Sequence, residues 1–347
     1  MFFQLTKRST FGGKIILVTG GLGSIGSEIV RQLLKYNPKQ VRIFDNRETE
    51  TFFMQHELKQ HSNLRFLVGD VRDKDRLNMA MEHVNIVFHA AALKHVPLCE
   101  YNPFEAVKTN VYGTQNIIDT ALTNNVEKVV NISTDKVTNT INTMGATKLL
   151  AERLISSAQY FKGNKKTIFS SVRFGNVIDS RGSIIDLFKK QIKHGGPVTI
   201  TNPDMTRFVM STKQAVNLVL KTAEEMHGGE IFILKMPIFK LNDLVEVVIE
   251  ELSYKEGYDS KNIKIKNIGI REGEKLYEDL MTEVEAQNSL ETQTKFIVLS
   301  KLGLPNYKGH QKNYKAIKTI KERYSSRDIK PLSKELLKRI LVNEKII

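Results

Sequence analysis

The sequence comprises 347 residues with a formal net charge of +14 and a single cysteine, Cys99. A chain of this length exceeds one small core and suits a nucleotide-binding domain joined to a substrate lobe. One cysteine rules out an intrachain disulfide and fits a reducing compartment. No apolar run nears the roughly 20 residues that span a bilayer, and Met1–Arg8 lacks the apolar stretch of a signal peptide, so a cytoplasmic protein without a membrane span is expected.

The charge is uneven: from Lys301 to Ile347 thirteen Lys or Arg stand against four Asp or Glu. Such a tail reads as a solvated face, a subunit contact or an attraction for anions. No recognisable nucleic-acid motif accompanies it, and no nucleic-acid partner is expected.

In chain order, Lys14–Thr19, Gln40–Phe44, Leu64–Val68, Asn85–His89, Lys128–Ile132 and Thr167–Phe174 are apolar runs of strand length, with helix-length segments between them. This alternation predicts an α/β fold, a Rossmann-like doubly wound parallel sheet covered on both faces. The first helix is expected over Glu28–Tyr36. Beyond about residue 175 the pattern loosens at Gly195-Gly196-Pro197 and Asn202-Pro203-Asp204, and a smaller C-terminal substrate lobe begins. Ser211–Met226 and Glu230–Leu234 read as a helix and a strand returning to the sheet. Residues 1–175 with 211–235 then form the first domain, and 176–210 with 236–347 the second. Near the end, Leu332, Leu336, Leu337, Ile340 and Leu341 recur at helical spacing with Ser333 near the N-cap. A stripe this broad needs a covering surface, on another subunit or on a lobe of the same chain.

Gly20, Gly23 and Gly26 follow the first strand and lead into the first helix. In that context Gly20 permits a tight turn, Gly23 lets backbone approach a pyrophosphate, and Gly26 lets helix pack closely on strand. Asp45 closes the second strand and can accept hydrogen bonds from adenosine ribose hydroxyls, which favours NAD. Arg47 is placed to reach a 2′-phosphate instead and leaves NADP open. Asp70-Val71, ending the third strand, faces the adenine edge, unless Asp70 serves as a turn cap.

Downstream, Ser133-Thr134-Asp135-Lys136 and Met144-Gly-Ala-Thr-Lys148 bring a carboxylate, two amines and two hydroxyls within sixteen residues. That is more than nucleotide binding needs and points to proton transfer. Met144 and Lys148 share one helix face.

These motifs carry a resemblance. The glycine string, Gly69-Asp70-Val71-Arg72-Asp73, His89-Ala-Ala-Ala-Leu-Lys94-His95-Val96-Pro97, Ser133-Thr-Asp-Lys136, Arg173-Phe-Gly-Asn176-Val177, Met205-Thr-Arg207-Phe208 and Gly269-Ile-Arg271-Glu-Gly-Glu-Lys275 stand in one order. That order resembles the UDP-N-acetylglucosamine 4,6-dehydratases of surface-glycan pathways, within the extended short-chain dehydrogenase/reductase superfamily. The resemblance runs from about Lys14 to about Leu341. It implies oxidation at C4 of the sugar, loss of water across C5 and C6, and return of the stored hydride to C6, with the cofactor tightly held and recycled.

By the same resemblance Lys136 is the base for the C5 proton and Asp135 the acid for the leaving hydroxide, with Thr134 beside them and Lys148 on the nicotinamide ribose. Ser24, Ile25, Asn46, Ala90, Ala91 and Val177 join the glycines, Asp45, Arg47, Asp70 and Val71 around the cofactor. Lys94 lies between cofactor and sugar. Asn176, Arg181, Gly182, Ser183, Arg207 and Arg271 hold the nucleotide diphosphate and sugar. A lysine base needs its pKa depressed and an acidic Asp needs the opposite shift. Where the superfamily usually has tyrosine this chain has Met144, a thioether that accepts no proton, so the base for the C4 hydroxyl falls to Asp135 or a water on Thr134. A homo-oligomer is implied by relatives that assemble. A 4-epimerase would share fold and cofactor but normally uses the missing tyrosine, and a non-catalytic sensor would leave Asp135 and Lys136 without purpose.

Overall fold

The computed structural model describes residues 10–300 and 313–347. The N-terminal segment Met1–Arg8 and the first part of the basic tail, Lys301–Lys312, lie outside the described residues. Six parallel strands, β1 (Ile15–Thr19), β2 (Gln40–Asp45), β3 (Leu64–Val68), β4 (Ile86–His89), β5 (Lys128–Ile132) and β6 (Ile168–Arg173), coincide with the expected runs to within one residue at each end. Their order across the sheet is β3-β2-β1-β4-β5-β6.

Alternation explains why these runs read as continuously apolar. Ile16, Val18, Phe88 and Val130 enter the core on one face, while Leu17, Val87, Val129 and Phe169 enter the core on the other. Both faces are therefore covered by helices, as a parallel sheet requires. Strand order reverses between β1 and β4, and their carboxyl ends open the crevice where such sheets bind ligands.

The first helix spans Ser24–Leu33 and ends in a single 3-10 turn, Leu34–Tyr36. It begins four residues before the expected Glu28 because Gly23, in extended conformation, is itself the N-cap. The returning helix, Thr212–Glu225, is capped by Ser211 and Gln214 in a reciprocal box, and Ile231–Leu234 adds in parallel to β6.

The placing of all of 236–347 in the second lobe needs correction. Lys295–Val298 pairs antiparallel with Ile231–Leu234, and Ser289–Glu291 and Ile317–Lys318 extend the same edge to make a ten-stranded sheet. Without them Ile231–Leu234 would present an open edge beside buried Phe232; Leu290, Phe296 and Ile297 close it and join the core.

The smaller lobe is built on Ile238–Lys240, Thr206–Met210 and Asn176–Val177, with helices Ile184–Lys193 and Leu241–Leu252. The C-terminal helix, Lys334–Asn343, is capped by Ser333 and sinks Leu337 and Leu341 among Phe188, Leu244 and Val248. Leu336 stays 44% exposed. The stripe is thus narrower than its periodicity implies, and the surface covering it belongs to the same chain. No helix among the described residues is long and apolar enough to cross a membrane.

Candidate active site

The glycine loop lies against the turn that follows β4. Gly20 has φ +63°, and a Cβ there would lie 2.6 Å from the backbone N of Ala91; at Gly26 it would lie 2.2 Å from the Gly20 carbonyl oxygen. Both positions therefore exclude side chains, and Ala90 and Ala91 form the facing wall. The helix Ser24–Leu33 opens toward this loop with no side-chain cap and no acidic residue in its first turn. Its free N–H groups and positive dipole end suit a pyrophosphate. These residues fit a dinucleotide.

Asp45 is buried and fully engaged by the protein. It accepts from Leu22 N at 3.0 Å and from Arg47 through Nε and Nη2, each at 3.0 Å. The expected ribose acceptor thus also pins the glycine loop, and Arg47 is the group presented at the rim, its side chain 37% exposed. Asp70 proves to be a turn cap as well as a neighbour of Asn46. It accepts from Arg72 N at 2.9 Å and from Asn46 Nδ2 at 3.3 Å. Burial pushes its carboxyl up, but the Arg72 bonds together hold it below the usual carboxylate value. Val71 is buried against Gly113.

A third loop closes over the glycines. Arg181 donates its backbone N–H to Ser24 Oγ at 3.0 Å and Nη2 to the Leu22 carbonyl at 2.8 Å, while Lys94 Nζ reaches the Arg181 carbonyl at 2.9 Å. Gly182, at φ +71°, donates to Asp186, and Ser183 precedes the helix Ile184–Lys193. Asn176 and Val177 form a short strand beside Val209 and Met210. Lys94, Arg181, Gly182 and Ser183 are thereby gathered over the crevice.

The turn after β5 carries the candidate chemistry. The backbone N–H groups of Ser133 and Asp135 donate to Val172 and Phe174, so the turn continues the β5–β6 pairing. Asp135 is fully buried; its Oδ1 accepts from Thr134 Oγ1 at 2.8 Å and from Lys136 Nζ at 3.0 Å. The helix Thr143–Phe161 packs onto this turn at Gly145, where a Cβ would meet the Lys136 carbonyl oxygen at 2.3 Å. Asn142 caps that helix through Gly145 N and donates to the Gly273 carbonyl, tying it to the 269–275 loop.

The tuning of Lys136 is opposite to expectation. Burial pulls its pKa down, but Asp135 and Glu278 outweigh burial and hold the ammonium above its ordinary value. Lys148 behaves differently: it is buried, donates to the Ile132 carbonyl at 2.6 Å, and burial lowers its pKa to about 8 against an opposing Glu152. Met144 packs with Cys99, Ala106 and Val96 in a small apolar cluster. Beneath them His89 bridges Thr19 and Thr114, and burial with the nearby Lys148 lowers its pKa to about 3, so it is a neutral strut.

Two arginines part company. Arg207 is buried, and its Nη atoms donate to the carbonyls of Thr206, Lys275 and Leu276. It braces the 274–278 loop in this structure, where a diphosphate ligand was expected of it. Arg271 is exposed on that loop. Sequence reasoning missed Glu278, which is 4% exposed with Oε1 at 4.0 Å from Lys136 Nζ and 3.9 Å from Arg207 Nε. Its one sequence signal was its position three residues beyond the Gly269–Lys275 motif. A cavity of about 680 Å³ lies along the outer side of this loop, lined by Asn139, Lys275, Tyr277, Asp279, Arg323 and Arg327. None of the glycines, Asp135, Lys136 or Lys148 lines it, so it is separate from the dyad.

Comparison with known proteins agrees with this geometry. Residues 16–300 match the family model described as polysaccharide biosynthesis protein. A protein of Methanocaldococcus jannaschii named as an uncharacterized membrane protein is 59% identical, over 94% of this chain and 95% of its own length. A UDP-N-acetylglucosamine 4,6-dehydratase (inverting) of Campylobacter jejuni is 43% identical over 83% of each chain. The crystal structure of Pen from Bacillus thuringiensis superposes with a TM-score of 0.91 at 45% identity, covering 97% of this chain and 99% of that one. By this match over residues 16–300, and with a glycine cradle on a parallel sheet, the chain belongs to the polysaccharide biosynthesis protein family and has the extended short-chain dehydrogenase/reductase fold.

Proposed function

We propose that the protein is a nucleotide-sugar 4,6-dehydratase that converts UDP-N-acetylglucosamine to a UDP-2-acetamido-2,6-dideoxy-4-hexulose in surface glycan biosynthesis. The observation that carries this reading is buried Asp135 paired at 3.0 Å with the half-buried Lys136, with Met144 in place of a tyrosine. NAD is the proposed cofactor, with NADP as the alternative; when bound it would supply the acceptor for the C4 hydride and the donor that returns it to C6. Gly20, Gly23 and Gly26 with the helix N-terminus would hold its pyrophosphate, Asp45 and Arg47 its adenosine end, and Lys148 its nicotinamide ribose.

The chain's own groups would move the protons. Asp135 takes the proton of the C4 hydroxyl, since Met144 offers no acceptor. The ketone formed at C4 makes the C5 proton acidic, and Lys136 removes it. Asp135 then gives its proton to the departing C6 hydroxide, so one carboxyl serves as base and acid in turn, and C5 regains a proton from the Lys136 ammonium or from solvent as C6 is reduced. Arg181, Ser183, Asn176 and Arg271 would position the diphosphate and sugar, arginine being suited by its planar fork of donors.

A second reading, 4-epimerisation, is favoured by one observation: a UDP-glucose 4-epimerase of Rickettsia rickettsii is 38% identical over 96% of each chain. The two readings differ in mass. Incubation with UDP-N-acetylglucosamine in deuterium oxide should give a 4-keto-6-deoxy product lighter by one water, with deuterium at C5 and no net NADH. An isobaric product would refute dehydration in favour of epimerisation.

A further inference from the structure

The proposed reaction sets a proton problem that Asp135 and Lys136 cannot solve alone. At the outset Asp135 has to be a carboxylate, ready for the C4 hydroxyl proton, and Lys136 has to be an amine, ready for the C5 proton. In the structure the two groups lie 3.0 Å apart, and the neighbouring carboxylates favour the ammonium form of Lys136. If that proton passes to Asp135, the pair gains a base at Lys136 but loses the base at Asp135. A third group beside the pair can take it.

Glu278 is that group by position. It lies just ahead of the strand Asp279–Met281, its backbone N–H bonded to Ser326 Oγ at 2.9 Å and its carbonyl accepting from Ser326 N at 2.8 Å. This anchorage aims the carboxylate inward, between Lys136 and Arg207. Its Oε2 is buried and has no hydrogen-bond partner among the described residues. An unpartnered carboxylate oxygen is costly to bury as an anion and far less so as an acid; Asp135 Oδ2 is unpartnered too, but Asp135 Oδ1 accepts from Thr134 and Lys136. The charged groups facing it are Asp135 and Lys136 from the turn after β5, Arg207 from the strand Thr206–Met210, and Lys275 from its own loop.

We propose that Glu278 is the proton store of this site, taking the Lys136 proton so that Lys136 stands as an amine while Asp135 stands as a carboxylate. The step balances: one N–H bond of the ammonium breaks, one O–H bond forms on Glu278, and the total charge of the three groups is unchanged. Closing the 4.0 Å gap by about 1 Å, through rotation of either side chain, brings donor and acceptor into range. Burial, with Asp135 beside it, raises the Glu278 carboxyl above its ordinary value against the opposing pull of Lys136, Arg207 and Lys275. The inference rests on the dehydratase reading for its purpose.

The test uses the full-length protein with its bound dinucleotide and the variant Glu278→Gln, which keeps the shape and cannot take the proton. With UDP-N-acetylglucosamine, kcat for water loss should fall on the order of 10²-fold near neutral pH, as for loss of an acid–base group, while KM changes less than about twofold. The variant's kcat should climb with pH as Lys136 loses its proton to solvent, and Glu278→Asp should recover part of the activity. A carboxyl that only supports the ammonium electrostatically predicts the reverse, because its removal makes Lys136 a stronger candidate base at neutral pH; a variant as fast as the wild type or faster overturns the proposal. A second measurement needs no turnover. The infrared band of a protonated carboxyl should persist above the ordinary carboxylate range in the wild type and vanish in Glu278→Gln; its persistence in the variant also overturns the assignment. Failure of the wild type to lose water would strike the dehydratase reading alone, since the infrared result stands apart from it.

Discussion

Replacing Lys148 with methionine should make the dinucleotide-free protein more stable at neutral pH and less stable at high pH. Lys148 is buried beneath the crevice with its pKa lowered to about 8. The unfolded chain would titrate near 10.5. At pH 7 the folded state therefore carries a buried ammonium, and the gap between the two values corresponds to roughly 3 kcal/mol of destabilisation. Between pH 8 and 10.5 the unfolded state holds the proton more tightly than the folded state, so wild-type stability gains from this group as pH rises through that window, and the cost is gone above it.

Methionine removes the buried charge but leaves the Ile132 carbonyl without its 2.6 Å donor, at a cost of about 1–3 kcal/mol. The two effects oppose each other. Lys148→Met should gain about 0–2 kcal/mol at pH 7 and lose about 1–3 kcal/mol above pH 10.5. Denaturant unfolding of both proteins at several pH values measures the difference, and titrating groups remote from Lys148 cancel between them. A difference that keeps one sign and size from pH 6 to pH 11 would refute the argument. Dinucleotide retention should fall in the same variant, which makes Lys148 a group kept for function at the expense of stability.

Two further outcomes follow from the cofactor cradle. Gly26→Ala would drive a Cβ to 2.2 Å from the Gly20 carbonyl oxygen, which is backbone and cannot yield; the purified variant should lose its dinucleotide by absorbance and unfold about 1–3 kcal/mol more easily. Asp45→Ala would release Arg47 from its ion pair and the Leu22 N–H from its acceptor. The wild type should yield mainly NAD on extraction and the variant a larger share of NADP, whereas mostly NADP in the wild type would transfer the choice to Arg47.

The strands were legible because burial on both faces writes itself into consecutive residues: Ile16, Leu17 and Val18 all had to be apolar, whichever core each one enters. The glycine cradle was legible for a similar reason, since its constraints act between Gly20, Gly26 and their immediate neighbours. Periodicity also located the C-terminal helix, but it states only which face wants cover. The surface that buries Leu337 and Leu341 comes from residues 188 and 244–248, and no local pattern announces that distance. The edge strand Lys295–Val298 was missed on the same account: its partner, Ile231–Leu234, lies some sixty residues earlier.

Charge tuning is the least local property of all. Adjacency in the sequence puts Asp135 beside Lys136, and a lysine base needs its pKa depressed. Burial is outweighed by Asp135 together with a second carboxylate that arrives from residue 278. The same fold-back turns Arg207 toward the carbonyls of Lys275 and Leu276. The chemistry of this site is therefore set where the smaller lobe closes on the turn after β5, and a neutral amine at Lys136 depends on what the 274–278 loop contributes. On the proposed mechanism Asp135 takes the proton that Met144 cannot accept, and Glu278 of that loop takes the one Lys136 has to give up.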